Sequence, residues 1–548
     1  VAPFTASILA PIVPVLDSMF IAGLAVLVIA CANAANLLLA RGLARRREFA
    51  IATALGASRA RMVRDRLGEA LLLASPGALI GVALAYAGAA AFNAAIAASS
   101  PPFWVHIAID ARVLAYVVAV TVLTALAAAA VPALRGGMAP PSTALAEDTR
   151  STTSGALRRT TAALVVVEIA LSAAVLVCAG LMGKGVLRLT SAQYAFAVDD
   201  VLTGRISLPA RTYGTTDARR EFFLTLHTRL DQLRASPAAA LGSSLPFAAA
   251  ESTTFSLTGV DDDASRWPPA RLVLVSPGYF EALGVSAIGG RDFEESDREN
   301  RASVALVNLS FALTHARRDD LIGRAIRVAG AEPITATIVG VVPDLYVGNA
   351  RGEQPETIYL PLLQQQTLPA AISVVARAGA PAASVERELR DAIAEIDPEL
   401  PLDRAMLLSD VREQGTWFYR VFGLLFLAFG AGALVLALVG VYAVMSFAVT
   451  RRKREIGTRM ALGATGGDIA RMFLREGTVR LVAGLAAGVV LAAFFAPRLA
   501  LFLFQVDPRD PGVFSAAGAI VGIVGLAACA VPALRAARHN PVESLRDE

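Results

Sequence analysis

The stretch Arg451-Arg452-Lys453-Arg454-Glu455-Ile456-Gly457-Thr458-Arg459-Met460-Ala461-Leu462-Gly463-Ala464-Thr465 lies between two long apolar runs. Far upstream the pattern occurs a first time, as Arg45-Arg46-Arg47-Glu48-Phe49-Ala50-Ile51-Ala52-Thr53-Ala54-Leu55-Gly56-Ala57-Ser58, with the same spacing from the basic cluster through Glu to Leu-Gly-Ala-Ser/Thr. The match continues: Arg64 and Glu69 answer Arg471 and Glu476, and Val131-Pro132-Ala133-Leu134-Arg135 recurs as Val531-Pro532-Ala533-Leu534-Arg535. Unrelated loops seldom agree at this level of detail, so two related membrane units bracket the rest of the chain.

Composition places those units in lipid. Of the residues 55% are hydrophobic and 18% charged, and the mean hydropathy is +0.57, outside the range of ordinary soluble domains. The basic pI of about 9.1 does not point to nucleic acid, because the basic residues gather beside apolar runs as the positive-inside rule expects. Lys184 and Lys453 are the sole lysines, in keeping with codon bias in an Ala-rich chain. Cys31, Cys178 and Cys529 all fall within apolar runs and read as packing residues, with neither a disulfide framework nor a metal spacing. The chain begins at Val1 with no leader and A-x-A cleavage site before the first apolar run, and is expected to be incomplete at its N-terminus.

A membrane-spanning helix needs about twenty largely apolar residues. Seven runs qualify, at 18–40, 69–92, 113–134, 161–183, 418–447, 477–497 and 513–534. Arginine sets their orientation: 41–66 and 451–475 are Arg-rich and expected in the cytoplasm, whereas 93–112 and 498–512 are nearly free of basic residues. Counting crossings puts 184–417 on the far side and returns the tail after Val531 to the cytoplasm, so both copies of the charged motif share one face. The expected fold is therefore membrane α-helical, with about seven spans in two repeated units and an α+β outer domain. Residues 1–150 form the first unit, with coupling loop 41–66; 151–188 a linker and span; 189–416 the outer domain, in two lobes; and 417–548 the second unit, with coupling loop 450–475 and a cytoplasmic tail.

In the outer segment, Arg271–Val275, Val304–Val307 and Ile338–Val342 read as strands, and Arg219–Leu233 and Ser384–Ile396 as amphipathic helices. The pattern is α+β rather than a catalytic barrel. With no cysteine, this segment must rely on its core, for which its length suffices. Ser236–Pro246 and Trp267–Pro269 read as linkers between lobes.

The arginines Arg451–Arg454 pin a helix at the headgroups. Beyond that anchoring, Glu455 precedes Arg459 by four residues, a favourable pair on one helix face, while Ile456 and Met460 share another. Gly463 can end the helix in a left-handed turn, and Thr465 with Asp468 fits a capping box for the next helix. Helix, turn and re-entering helix predict a compact knob for a cytoplasmic partner, favoured over a plain solvated loop because the motif is duplicated in detail.

Arg454-Glu455-Ile456-Gly457-Thr458-Arg459-Met460-Ala461-Leu462-Gly463-Ala464 resembles the cytoplasmic signature of ABC-type permeases of the macrolide-exporter and cell-division-permease superfamily. The tail from Pro532 to Arg546 resembles it as well, and Cys31-Ala32-Asn33-Ala34-Ala35-Asn36-Leu37-Leu38-Leu39-Ala40-Arg41 is similar to the duplicated orphan permeases of that superfamily. So are Tyr279-Phe280, Gly290-Arg291-Asp292-Phe293, Ile338–Val342 and Tyr359-Leu360-Pro361 in the outer domain. The resemblance covers almost the whole chain. It implies a multi-pass protein of the bacterial inner membrane whose cytoplasmic loops rest on a separate ATPase, and in which nucleotide-driven closure rocks a periplasmic domain. Arg454, Glu455, Gly457, Arg459 and Gly463 would form the docking loop of the second unit, with Glu48 and Gly56 in the first, where Ala50 and Ala52 replace Gly457 and Arg459. The implied partners are a cytoplasmic ABC ATPase, a periplasmic adaptor, membrane lipids and a second copy of the chain. A duplicated permease of this kind would also carry a further membrane helix and periplasmic domain ahead of 18–40.

No G-x-x-x-x-G-K-[ST] occurs, Gly180-Leu181-Met182-Gly183-Lys184-Gly185 being the nearest string, so ATP hydrolysis is expected in another subunit. No G-x-S-x-G or H-E-x-x-H occurs, and His106, His227, His315 and His539 lack metal spacing and read as surface residues. No catalytic residue, metal or cofactor is expected. Glu168 sits within an apolar run, where a carboxylate is costly; it is expected to reach the interface or an arginine at Arg158-Arg159. Asn33 and Asn36 are polar groups that can bond across helices. Export of a small molecule, peptide or lipid-linked substrate is the leading use. The alternative is a signalling or regulatory membrane protein that controls an envelope enzyme or senses a periplasmic ligand, since one fold serves both.

Overall fold

The computed structural model describes residues 13–44, 59–97, 107–136, 152–191, 194–257, 266–297, 302–315, 321–330, 333–346 and 355–537. Four long helices come first: α1 (Val13–Ala44), α2 (Arg59–Ala97), α3 (Ala111–Gly136) and α4 (Thr152–Ser191). A sheet-rich segment follows, with β1 (Val201–Ser207), α5 (Thr216–Leu230), β2 (Ala239–Gly242), β3 (Glu251–Leu257), β4 (Pro269–Val275), β5 (Gly289–Gly290), β6 (Val304–Asn308), α6 (Leu309–His315), β7 (Ala325–Val328), β8 (Ile334–Val342), β9 (Thr357–Pro361), β10 (Ala371–Arg377), α7 (Ala382–Ile396) and β11 (Asp403–Leu407). The chain closes with α8 (Leu408–Arg451), α9 (Lys453–Ala461), α10 (Gly466–Phe495) and α11 (Pro511–Ala537). It divides into a helical unit, Val1–Arg188 with Tyr419–Glu548, and a sheet unit, Leu189–Phe418.

All seven apolar runs lie in helices. Among the described residues six are long and apolar enough to cross a membrane, at Leu16–Leu37, Ala74–Ala94, Arg159–Ser191, Leu408–Arg451, Gly466–Ala500 and Pro511–Ala537; α3 contributes a shorter apolar stretch, Ala111–Leu126. Most helices outrun their apolar cores: α8 begins ten residues before the run at 418, because i→i−4 bonding continues into water wherever nothing interrupts it. Small residues set the packing. On α10 a Cβ at Gly484 would fall 2.7 Å from Ile169 Cβ, and one at Gly488 2.7 Å from the Ala170 carbonyl, so α4 and α10 approach at backbone distance. Leu72, Leu79 and Leu84 of α2 stay exposed, as on a helix that faces lipid or other apolar partners.

In the sheet unit, β1, α5 and β2, then β10, α7 and β11, make a βαββαβ layer with strand order β11-β1-β10-β2. α5 and α7 cover one face, burying Phe223, Leu226, Val385 and Leu389 against Ile206, Ile372 and Val374. Everything from β3 to β9 is inserted between β2 and β10. There β4, β3, β7, β8, β6 and β9 pair in turn, and β9 returns to β4 in parallel from Arg271↔Thr357 to Val275↔Pro361, closing a six-stranded ring. Phe255, Phe311, Ile338 and Ile358 belong to its core. Layer and ring join where Gly242 of β2 pairs with Val275 of β4. The strands and helices expected here are present, each a few residues longer or shifted. Ser236–Pro246 is no linker, because it holds β2, whose four residues are all buried, and Trp267–Pro269 leads directly into β4. Proline and glycine there mark tight strand ends.

Candidate functional site

The charged stretch folds as the spacing requires. α9 ends in a full Schellman turn: Gly463, at φ +100°, donates its N–H to the Met460 carbonyl at 3.1 Å, and the Ala464 N–H donates to the Arg459 carbonyl at 3.0 Å. Thr465 then caps α10. Its Oγ accepts from the Asp468 N–H at 3.3 Å, and Asp468 Oδ2 accepts from the Thr465 N–H at 3.0 Å.

This geometry gives the knob a fixed base and a free tip. Ile456 is buried with Ile469, Phe473, Ala533 and Ala536, and Met460 packs against that cluster. Gly457 is buried too. Arg452 donates to Glu476 Oε2 at 3.1 Å and lies over the Phe473 ring, while Arg480 donates to Glu476 Oε1 at 2.5 Å. One carboxylate therefore ties the start of α9 to α10. On the opposite side Glu455 and Arg459 pair at 2.7 Å, both close to half exposed, and Leu462 is 88% exposed beside Gly463.

Four of the five residues expected in this loop can thus be placed: Glu455, Arg459 and Gly463 on the exposed side, Gly457 against the bundle. Arg454 lies in α9, but its side chain is outside the described residues, as are Glu48, Gly56 and the tail from 538. The Arg452–Glu476–Arg480 group and the bare Leu462 escaped sequence reading. A signal existed, since Arg45, Leu55 and Glu69 repeat Arg452, Leu462 and Glu476 at one spacing.

Glu168, Asn33 and Asn36 are all buried. Glu168 does not reach an interface or an arginine: its side chain is 0% exposed and, among the described residues, lies beside Asn33 without a well-formed hydrogen bond. The surface reading of the histidines also fails. His227 is buried and its Nε2 lies 2.7 Å from Glu295 Oε1, while half-buried His315 pairs with Glu356 at 2.9 Å; His106 and His539 are outside the described residues. His227, Asp231 and Glu295 offer one nitrogen and two oxygens within 4.8 Å of one another. Glu295 lies too far along the chain for any spacing to reveal that grouping.

In the sheet unit an aromatic cluster holds the root of α8. Tyr194 packs edge-on against Phe247 and Tyr346, each at 5.0 Å between centroids, and Arg412 of α8 lies over the Tyr194 ring. Phe247 and Tyr346 both have positive φ, and the Phe247 N–H donates to the Tyr346 carbonyl at 3.0 Å. Two strained residues joined in this way are over-determined by their surroundings.

Comparison with known proteins agrees with both units. The FtsX-like permease C-terminal model matches twice, at residues 20–141 and 427–541, and the MacB-like periplasmic core domain model matches residues 162–392. The chain is an ABC permease of the MacB/FtsX superfamily. This permease is a multi-pass inner-membrane protein with a periplasmic core domain. It is 29% identical over 273 residues to the pyoverdine export ATP-binding/permease protein PvdT of Pseudomonas syringae pv. syringae, covering 48% of this chain and 40% of that one. It is 27% identical over 288 residues to the macrolide export ATP-binding/permease protein MacB 2 of Aeromonas hydrophila, covering 50% and 43%. The permease thus spans less than half the length of these curated relatives. Among solved structures, the periplasmic region of MacB from Actinobacillus actinomycetemcomitans matches at 12% identity with a TM-score of 0.27, covering 39% of this chain and 92% of that one.

Proposed function

We propose that the permease couples ATP hydrolysis by a separate cytoplasmic ATPase to motion of its periplasmic domain, and that it serves export of a small molecule, peptide or lipid-linked substrate. The observation that carries this reading is the knob: a short helix whose base is locked to α10 by Glu476 and whose tip presents Glu455, Arg459 and Leu462. A locked base transmits a push; an exposed apolar tip with an ion pair beside it suits a protein groove. α8 is one uninterrupted helix from Leu408 to Arg451, and α9 follows it directly at Lys453. Export is further supported by the roles of the relatives, which are pyoverdine and macrolide export proteins. On this reading Glu48 and Gly56 belong to a second docking loop, and a periplasmic adaptor and a second copy complete the assembly.

The test is co-purification of the solubilised permease with the ATPase from its own genome. Glu455→Ala with Arg459→Ala, and separately Leu462→Asp, should leave yield and melting temperature unchanged and reduce ATPase recovery at least tenfold. Full recovery with both variants would discard the knob as the docking site. Failure of the unmodified chain to recruit any ATPase would favour the regulatory alternative.

A further inference from the structure

A polar layer crosses the apolar interior of the helical unit. Glu168 of α4 is fully buried beside Asn33, and among the described residues neither carboxylate oxygen has a well-formed hydrogen bond. On α1, Asn33 Nδ2 donates to the Leu436 carbonyl of α8 at 2.8 Å, and among the described residues its Oδ1 has no donor. Asn36, one turn on, is buried, and among the described residues both its amide atoms are unpartnered. Ser172, one turn beyond Glu168, donates to the Ala433 carbonyl of α8 at 3.1 Å. Gly440 of α8 closes the layer: a Cβ there would overlap Asn33 Oδ1 and both oxygens of Glu168. Three acceptor oxygens from two helices therefore converge on the bare backbone of a third.

Apolar packing seals the layer above and below. Ile29, Val175 and Ala433 form one small core, and Val165, Ile169, Val441 and Val444 belong to the next. Depth matters as well. Glu168 follows Arg159, and Gly440 precedes Arg451, by roughly 14 to 16 Å of helix, about half the thickness of the hydrocarbon. A glutamate side chain cannot cross that distance to the headgroups.

Among the described residues the acceptor oxygens that converge here outnumber the donors. An ionised carboxylate without a cation is the costliest occupant of such a place. A single proton on Glu168 removes the charge and supplies an O–H to Asn33 Oδ1. We propose that Glu168 is a proton-binding site at the seam of α1, α4 and α8, and that its occupancy sets how closely α8 packs at Gly440. The step is simple: carboxylate and a hydronium ion give the carboxylic acid and water, one O–H bond forming on Glu168 as one breaks on the hydronium. Other titratable groups on the surrounding helices have places of their own. Cys31 of α1 lies 3.5 Å from Thr124 Oγ1 of α3, and Cys178 of α4 is half-buried. Tyr442 of α8 accepts from Arg535 at 2.9 Å, and Arg480 of α10 is paired with Glu476. None of them pairs with Glu168.

Proton binding at Glu168 is independent of ATPase docking and is tested without nucleotide. Infrared difference spectra of the whole chain in lipid nanodiscs, titrated from acid to alkaline pH, should show at neutral pH a carboxylic-acid carbonyl band that exchanges slowly in D2O. Glu168→Gln should abolish the band and keep the wild-type melting temperature, because the amide matches the neutral acid in shape and donor capacity. Asn33→Leu should keep the band and shift it upward, since the acceptor is gone; if Glu168→Gln fails to fold, that shift alone decides. Absence of the band at every pH, its survival in Glu168→Gln, or an unmoved band in Asn33→Leu would overturn the proposal. So would stabilisation by Na+ or K+ that Glu168→Gln abolishes, which would assign the site to a metal cation.

Discussion

At single positions the membrane unit is sensitive where backbones meet and indifferent where nothing faces a residue. Gly484 allows α10 to rest against Ile169, whereas a Cβ on Gly522 of α11 meets nothing within 4 Å. Gly484→Leu should destabilise by at least the 1–3 kcal/mol typical of overpacking, about the most a marginal bundle tolerates, while Gly522→Leu should leave the melting temperature within error. Fluorescence-detected thermal unfolding in detergent distinguishes the two. In the periplasmic domain, burial raises the Asp292 carboxyl above the usual carboxylate value, although it accepts from the Phe293 N–H at 2.6 Å. A raised folded value means that the native state holds this proton more tightly than the unfolded chain. Its contribution is therefore most favourable below about pH 4 and is lost as pH rises through the folded value. Asp292→Asn should raise the melting temperature at neutral pH and leave it unchanged in acid; an equal gain at both would point to packing instead.

Individual elements separate what local chemistry dictates from what packing dictates. The turn after α9 was legible because each of its residues has a local reason: Gly463 for positive φ, Thr465 and Asp468 for reciprocal capping, Glu455 and Arg459 for an i, i+4 pair. Thr465→Ala should cost about 1 kcal/mol, the usual value of a lost N-cap, and hydrogen exchange should show faster amides over 466–469 with α9 unaffected. The membrane helices were equally legible, since lipid admits few alternatives. Strand order was not, because the ring depends on pairings such as Arg271 with Thr357 that no periodicity encodes. The fate of Glu168 was hidden for a related reason: its neighbours Asn33 and Gly440 come from opposite ends of the chain. His227 and Glu295 repeat that lesson in the periplasmic domain.

For the whole molecule the arginine distribution predicts a sidedness that can be measured. With Cys31, Cys178 and Cys529 replaced, a Leu462→Cys variant should react with an impermeant maleimide only in inside-out vesicles, and Asp391→Cys only in right-side-out cells or spheroplasts. Labelling of both from one side would refute the topology and the docking role together. The attachment of the ring to its layer has another consequence. β2 and β10 are already antiparallel neighbours, with Gly242 facing Ser373 and Ala239 facing Ala376. The ring therefore leaves and rejoins the chain at the mouth of a ready-made hairpin, as a very long loop would. Such an insert adds a second surface outside the membrane while the β2–β10 pairing beneath it stays continuous, and the two are welded by a shared core that includes Ala240, Val375, Val275 and Leu306.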